Sequence, residues 1–247
     1  MEAGRVSGYW IRKTKRAPIR ALYKQTLTAG EASLIYFGWA GILLRTVHGV
    51  VAIDLCQKNF RRSEVRELEQ LDLQCYTHTH WDHWHPAHAS AIRAHTGAPI
   101  LVEPAIVNDR GSIPLDHLIP VRPSGPVRVG TYTVCGVTGI HPRPITLFHL
   151  TSPDVRLFHG GDSDSVPLDH LEADIAIVPV GTPSPSCTPH SAVAMLRDVG
   201  ANVAIPVHGS KGQVGSFESI VAESLPDVHV IAPAVCELVT FRFRDAA

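Results

Sequence analysis

A chain of 247 residues, 45% hydrophobic and 18% charged, is long enough to bury a sizeable core as one large domain or two small ones. Its formal net charge of -1 excludes a global electrostatic pull toward nucleic acid or a membrane surface. Five widely spaced cysteines without a C-x-x-C pair, no apolar leader and no apolar run near the ~18 residues of a membrane span predict a soluble, cytoplasmic protein with reduced thiols.

The first 24 residues are basic: Arg5, Arg12, Lys13, Lys15, Arg16, Arg20 and Lys24 face one acid, Glu2. They read as an N-terminal extension over residues 1–31 with a solvated charged face, or as a contributor to binding an anionic partner. Short apolar runs at 32–37, 41–47 and 50–54 then predict three strands joined by glycine-containing turns. Residues 63–71 carry helical spacing, with Val65, Leu68 and Leu71 on one face. A short strand follows at 73–77, then an alanine-rich helix from Pro86 to about His95, stopped by Gly97. Strand-like runs recur at 99–102, 127–129, 132–140, 145–150 and 155–159. The last third alternates strand and helix: strand 174–180, helix 189–199, strand 203–207, a helix near 216–225, and strands around 228–231 and 237–243. Two strand-rich halves with helices outside them predict an α/β fold of two sheets packed face to face between helical layers, an αββα sandwich over residues 32–247.

The segment Thr77-His78-Thr79-His80-Trp81-Asp82-His83 carries the chemistry. On an extended segment His78 and His80 point the same way, because side chains alternate with a period of two. Asp82 and His83 fall where the chain must turn from strand into helix, so four ligand-type side chains can face one volume. Three more candidates also follow predicted strands: His141 after 132–140, Asp162 in a Gly-Gly-Asp turn after 155–159, and His208 after 203–207. Side chains delivered from several strand ends to one sheet edge make a rigid site. Imidazoles and carboxylates without a thiolate suit zinc, manganese, iron or cobalt.

H-x-H-x-D-H, a lone His, a Gly-Asp turn and a late His after a strand together resemble the metallo-β-lactamase superfamily, over about residues 33–239. Tyr36-Phe37-Gly38-Trp39-Ala40-Gly41, Ile53-Asp54, Gly161-Asp162 and Ile205-Pro206-Val207-His208 are most similar to the ascorbate-6-phosphate lactonase-like branch. Trp39 departs from it, standing where relatives often carry His or another polar residue. The resemblance implies a binuclear hydrolase. His78, His80 and His141 would hold one metal and Asp82, His83 and His208 the other, with Asp162 bridging. Zinc ranks first, with manganese or iron as alternatives. A metal-bridging hydroxide would attack a small cytosolic ester, lactone or phosphate-bearing substrate, and Asp82 would orient it and pass its proton on.

Around this set, Asp54 and His159 are candidates for supporting the ligands from behind, Arg143 for meeting an anionic substrate group, and Trp81 for a substrate wall or for core packing. His85, His88 and His190 read as surface or pocket residues, and Ser163 and Ser186 lack a nucleophile's context. A nucleic-acid phosphodiesterase is the first alternative. It is disfavoured because Gly139-Ile140-His141-Pro142-Arg143 stands where that branch has Gly-His-Thr. A di-iron oxidoreductase would carry Glu rather than His80. A non-catalytic metal-binding protein is the remaining class. The expected partner is a small molecule, with an anionic one among the options, no membrane involved, nucleic acid disfavoured and a homo-oligomer left open.

Overall fold

The computed structural model describes residues 3–6, 9–14, 19–182 and 187–243, with side chains from residue 19 onward. The side chains of Arg5, Arg12, Lys13, Lys15 and Arg16, and Ser186, lie outside the described residues. In chain order the strands are β1 (Ala3–Val6), β2 (Tyr9–Thr14), β3 (Glu31–Gly38), β4 (Gly41–Thr46), β5 (Gly49–Ile53), β6 (Leu73–Tyr76), β7 (Ile100–Val102) and β8 (Leu118–Pro120). After them come β9 (Val127–Val129), β10 (Tyr132–Thr138), β11 (Thr146–Thr151), β12 (Arg156–His159), β13 (Ile175–Pro179), β14 (Val203–Val207), β15 (His229–Val230) and β16 (Glu237–Arg242). The helices are α1 (Ile19–Tyr23), α2 (Arg62–Val65), α3 (Pro86–Thr96), α4 (Pro189–Val199) and α5 (Lys211–Ser224).

Two sheets form among these residues. One has nine strands in the order β1-β2-β16-β3-β4-β5-β6-β7-β8, the other seven in the order β15-β14-β13-β12-β11-β10-β9. Each is antiparallel at one side and turns parallel at the other, at β5/β6 in the first and β12/β13 in the second. The N-terminal segment joins the first sheet, since β2 pairs antiparallel with β16.

Strand alternation builds the layers. In β13, Ile175 and Ile177 face the inter-sheet core, which also holds Leu34, Leu44, Ile53, Phe148 and Ile205. Ala176 and Val178 face the opposite way, onto α4 and α5 through Val193, Leu196 and Phe217. The outer face of the first sheet packs Ile35, Leu43 and Ala52 against Leu22, Val65 and Ile92 of α1–α3. The result is the four-layer αββα sandwich expected from the sequence. Strands such as β14, buried on both faces, gain roughly 1.5–3 kcal/mol per fully buried Val or Ile.

Helix boundaries follow local chemistry. Pro86 starts α3, and Gly97 ends it at φ 78. Pro189 follows the N-cap Thr188, whose Oγ1 accepts from the Ser191 amide. Two expected helices differ. The apolar spacing over 63–71 yields a helix only to Val65. The Leu68 amide donates to Val65 in a single turn, and Asp72 is already drawn to β5, its amide donating to Val50 and its carboxylate accepting from the Val50 amide. Thus Val65, Leu68 and Leu71 are all buried without a continuous helix. The helix expected near 216 starts earlier, at Lys211, because Ser210 and Gln213 close a reciprocal capping box. Strands β1, β2 and β8 and helix α1 were not anticipated.

Candidate metal centre

The candidate residues emerge from the ends of strands that line one edge of the sandwich. Asp54 follows β5, Thr77 and His78 follow β6, Asp162 follows β12 and His208 follows β14. These are the carboxyl ends of the parallel portions of both sheets, where α/β folds open a crevice. His141 arrives from the loop after β10, and His80, Asp82 and His83 from the turn into α3.

The side chains form two adjacent groups. His78, His80, His141 and Asp162 bring one ligand atom each within 4.8 Å of one another, and so do Asp82, His83 and His208. In the first group, His80 Nδ1 lies 2.9 Å from His78 Nε2 and 3.2 Å from His141 Nε2. In the second, His208 Nε2 lies 3.3 Å from Asp82 Oδ2. Asp162 spans the two groups. Its Oδ1 is 3.1 Å from His83 Nε2, and its Oδ2 is 3.4 Å from His208 Nε2 and 3.9 Å from His78 Nε2.

A layer of hydrogen bonds behind these groups aims them. Asp54 is fully buried. It accepts from the Thr77 amide at 2.9 Å, the Thr77 hydroxyl at 2.7 Å and His83 Nδ1 at 2.8 Å. The Thr77 hydroxyl has a single proton, given to Asp54, so across its 3.0 Å contact with His78 Nδ1 it is the acceptor. Both His78 and His83 therefore carry a proton on Nδ1 and turn Nε2 into the site. His159 holds another seam. Its Nε2 donates to the Ala40 carbonyl at 2.9 Å, and its Nδ1 accepts from the Gly161 amide at 3.2 Å, joining the β3–β4 turn to the turn bearing Asp162. Ser163 Oγ accepts from the Ile140 amide at 2.8 Å and donates to the Asp164 carbonyl, tying the His141 loop to that turn.

The electrostatics suit cation binding. Burial, with neighbouring imidazoles adding to it, holds His78 far below the ordinary imidazole range. Burial also lowers His80, with Arg143 contributing, and lowers His141. For His83, burial works downward, but Asp162 and Asp54 on either side override it and hold the ring well above its usual range. The carboxylates that favour a proton on His83 favour a cation in its place. Burial raises Asp82 and Asp162, but His208 and His83 at Asp82, and His83 at Asp162, outweigh it, so both stay ionised. His83 Nε2, His208 Nε2 and Asp162 Oδ1 are buried and make no hydrogen bond of acceptable geometry, a costly arrangement without a further partner. Imidazole nitrogens and carboxylate oxygens with orphaned, inward-facing atoms fit divalent cations such as zinc or manganese.

The remaining sequence candidates fall at the rim or outside it. Arg143 is exposed and donates to Thr79 Oγ1 at 3.3 Å. Trp81 is 56% exposed, so of its two readings the core one is excluded. His88 is buried and packs on Phe60, away from both groups. His190 is exposed. Sequence reasoning missed Thr77, Asn59 and the bridging role of Ser163. Asn59 Nδ2 donates to the carbonyls of Asp54 and Gly38. Thr77 was detectable as the hydroxyl that opens the histidine motif, whereas Asn59 and Ser163 carry no local signature.

Comparison with known proteins identifies the family and the fold. The family model described as the beta-lactamase superfamily domain matches residues 42–209. Among solved structures, the chain is similar to Igni18, a novel metallo hydrolase from the hyperthermophilic archaeon Ignicoccus hospitalis. The TM-score is 0.73 at 19% identity, covering 87% of this chain and 100% of that one. It is also similar to the metallo-beta-lactamase fold protein YhfI from Bacillus subtilis, with TM-score 0.66, 15% identity, and 83% and 97% of the two chains covered. A diphosphatase from the PhnP family aligns with TM-score 0.58 and 13% identity over 87% of this chain and 100% of that one. At such identities the likeness is one of fold. Among curated proteins none matches the sequence. With the family model spanning most of its length and the αββα sandwich in place, the chain belongs to the beta-lactamase superfamily and has the metallo-β-lactamase fold.

Proposed function

We propose that the chain is a binuclear metal-dependent hydrolase acting on a small ester, lactone or phosphate-bearing compound. The observation that carries this reading is the pair of adjacent ligand groups spanned by Asp162, whose Oδ1, with His83 Nε2 and His208 Nε2, is buried without a hydrogen bond. His78, His80 and His141 would hold one cation, Asp82, His83 and His208 the second, and Asp162 would bridge them. Such cations, zinc first with manganese or iron as alternatives, supply Lewis acidity and activate water at neutral pH.

The chain's own residues do the rest. Asp162, 1% exposed, would serve as the fixed bridge, whereas Asp82 is 8% exposed and ionised, so it can accept the proton of an attacking water and hand it to the leaving group. Asp54 and His159 hold the ligands from behind, and Arg143 and Trp81 at the rim meet the substrate. We assign the catalytic unit to residues 32–247, with residues 1–31 as a basic extension that adds β1 and β2 to the edge of the first sheet. Within the superfamily we place the chain nearest the ascorbate-6-phosphate lactonase-like branch. Its cysteines, all free, suit the cytoplasm. No helix among the described residues is long and apolar enough to cross a membrane.

The test is hydrolysis of lactones, carboxylic esters and phosphodiesters by purified protein before and after chelation. The proposal requires activity on one class that chelation abolishes and zinc or manganese restores. Turnover that ignores the chelator would refute it. Arg143, exposed beside Thr79, favours phosphodiesters as the second reading, decided by the same substrates.

A further inference from the structure

Next to His208 the surface opens into a cleft of about 560 Å³, within the size range of ligand pockets. Tyr36, Trp39, Thr182, Ser210, Gln213 and Val235 are among the residues that line it. Among the described residues no Lys, Arg, Asp or Glu does. The N-terminus of α5 reaches the cleft but is already engaged by its own capping box. Ser210 Oγ accepts from the Gln213 amide, and Gln213 Oε1 accepts from the Ser210 amide. The described lining thus offers an anion no Lys or Arg. Arg143 belongs to the other ligand group's side, beside His80 and Thr79.

Trp39 is the unusual member. It occupies the two-residue turn between Gly38 and Gly41, with φ 55, a left-handed conformation that tight turns ordinarily give to glycine. A bulky residue persists in such a conformation only when its surroundings over-determine it. Here the Tyr36 hydroxyl, buried enough to be pushed up to about 12, donates to the Trp39 carbonyl at 3.0 Å. His159 fixes the adjacent Ala40 carbonyl. The turn thus holds the indole beside the centre. Its ring centroid is 5.3 Å from that of His208 and 5.7 Å from that of Trp81, over which Lys58 Nζ sits at 4.9 Å. The indole nevertheless stays 42% exposed, with Val235, 60% exposed, lining the same cleft. Folding alone gains little from a strained, half-open tryptophan.

We infer that Trp39 is a specificity-determining residue, and that this cleft takes an uncharged aryl or acyl group of the substrate, stacked on the indole beside the His208 side of the centre. The inference rests on the hydrolase reading for the bond that is cut, but not for the binding itself. An anionic part of the substrate, where there is one, lies on the Arg143 side. This favours carboxylic esters or lactones with an apolar part over compact phosphate compounds.

Calorimetric titration with 2-naphthalenemethanol, a neutral aryl probe, tests this on the purified protein and again after chelation, with phenyl phosphate as the anionic control. Saturable binding of the neutral probe is expected in both forms. Trp39→Gly should weaken it by about tenfold, and Trp39→Phe should restore most of it. Thr182→Lys, which changes an exposed cleft residue, should weaken the neutral probe and admit phenyl phosphate. Equal probe affinity in wild type and Trp39→Gly would overturn the inference, as would binding of phenyl phosphate in preference to the neutral probe at a Trp39-dependent site. Because the chelated protein is titrated too, failure of the cleft reading is separable from failure of the metal reading.

Discussion

Asp54 Oδ2 lies 2.8 Å from His83 Nδ1, deep below the ligand groups, and the contact decides which nitrogen of His83 faces the site. Asp54 itself sits at φ 51, a conformation that short polar side chains tolerate, and it accepts from the amide and hydroxyl of Thr77 as well. One carboxylate therefore orients His83 directly and His78 through Thr77. Asp54→Asn replaces an acceptor with a group that can present a donor to His83 Nδ1. Zinc affinity, measured by competition with a chromophoric chelator, should fall about 10–100-fold while the fold is retained. Unchanged affinity would mean that His83 needs no such orienting partner.

Trp39 inverts the usual order of alanine and glycine. Alanine at φ 55 retains the Cβ penalty and loses the indole, whereas glycine loses the indole but relieves the backbone. Trp39→Gly should thus be more stable than Trp39→Ala by about 1 kcal/mol in urea unfolding. The opposite order would show that the turn is not strained.

His159 spans two turns, bonding the Ala40 carbonyl and the Gly161 amide. His159→Leu leaves both backbone groups buried and unpaired. The expected cost is roughly 2–4 kcal/mol in chemical denaturation, with weaker metal retention because the Asp162 turn loosens. A loss below about 0.5 kcal/mol would show that water or a neighbour replaces the ring at no penalty.

His88 gives stability a pH dependence of its own. Burial, with His85 and Arg62 adding to it, lowers this histidine from 6.5 to about 4. The unfolded chain therefore takes up the proton first. The stability is whole above pH 6.5, declines as the pH falls from there, and the loss is complete below about 4. A shift of that size corresponds to ~3 kcal/mol at most, and residual solvation reduces it to roughly 1–2 kcal/mol. Urea unfolding of chelated wild type and His88→Leu at pH 7.5 and pH 5 isolates the effect. The wild type should lose more stability than the variant over that interval, and parallel losses would assign the pH dependence elsewhere.

Much of this architecture was legible in the chain because its signals are local. Helix α4 begins at Pro189 after a capping threonine and stops at Gly200, and the amphipathic pattern of its residues marks the same span. Strand β14 is a short β-branched run bounded by polar turns, and its span was equally plain. The candidate site was legible because H-x-H-x-D-H is compact and the other three candidates lie within three residues of strand ends. What was not legible depends on contacts across the chain. The spacing of Val65, Leu68 and Leu71 could not reveal that Asp72 would be captured by Val50, ending α2 early. Strand β2 is held by β16 from the far end of the sequence, and Asn59 and Ser163 matter only through the carbonyls and amides that folding brings to them. Trp39 stood out as a departure from relatives, but its left-handed backbone is a property of the folded turn.

The most direct measurement is metal content by plasma mass spectrometry on wild type, His80→Ala and Asp162→Ala, purified side by side without added metal or chelator. A binuclear site predicts about two equivalents in the wild type, a reduced content in His80→Ala from loss of one ligand group, and a larger loss in Asp162→Ala, which removes the bridge. A wild-type protein that is metal-free as purified and takes up neither zinc nor manganese on titration would contradict it.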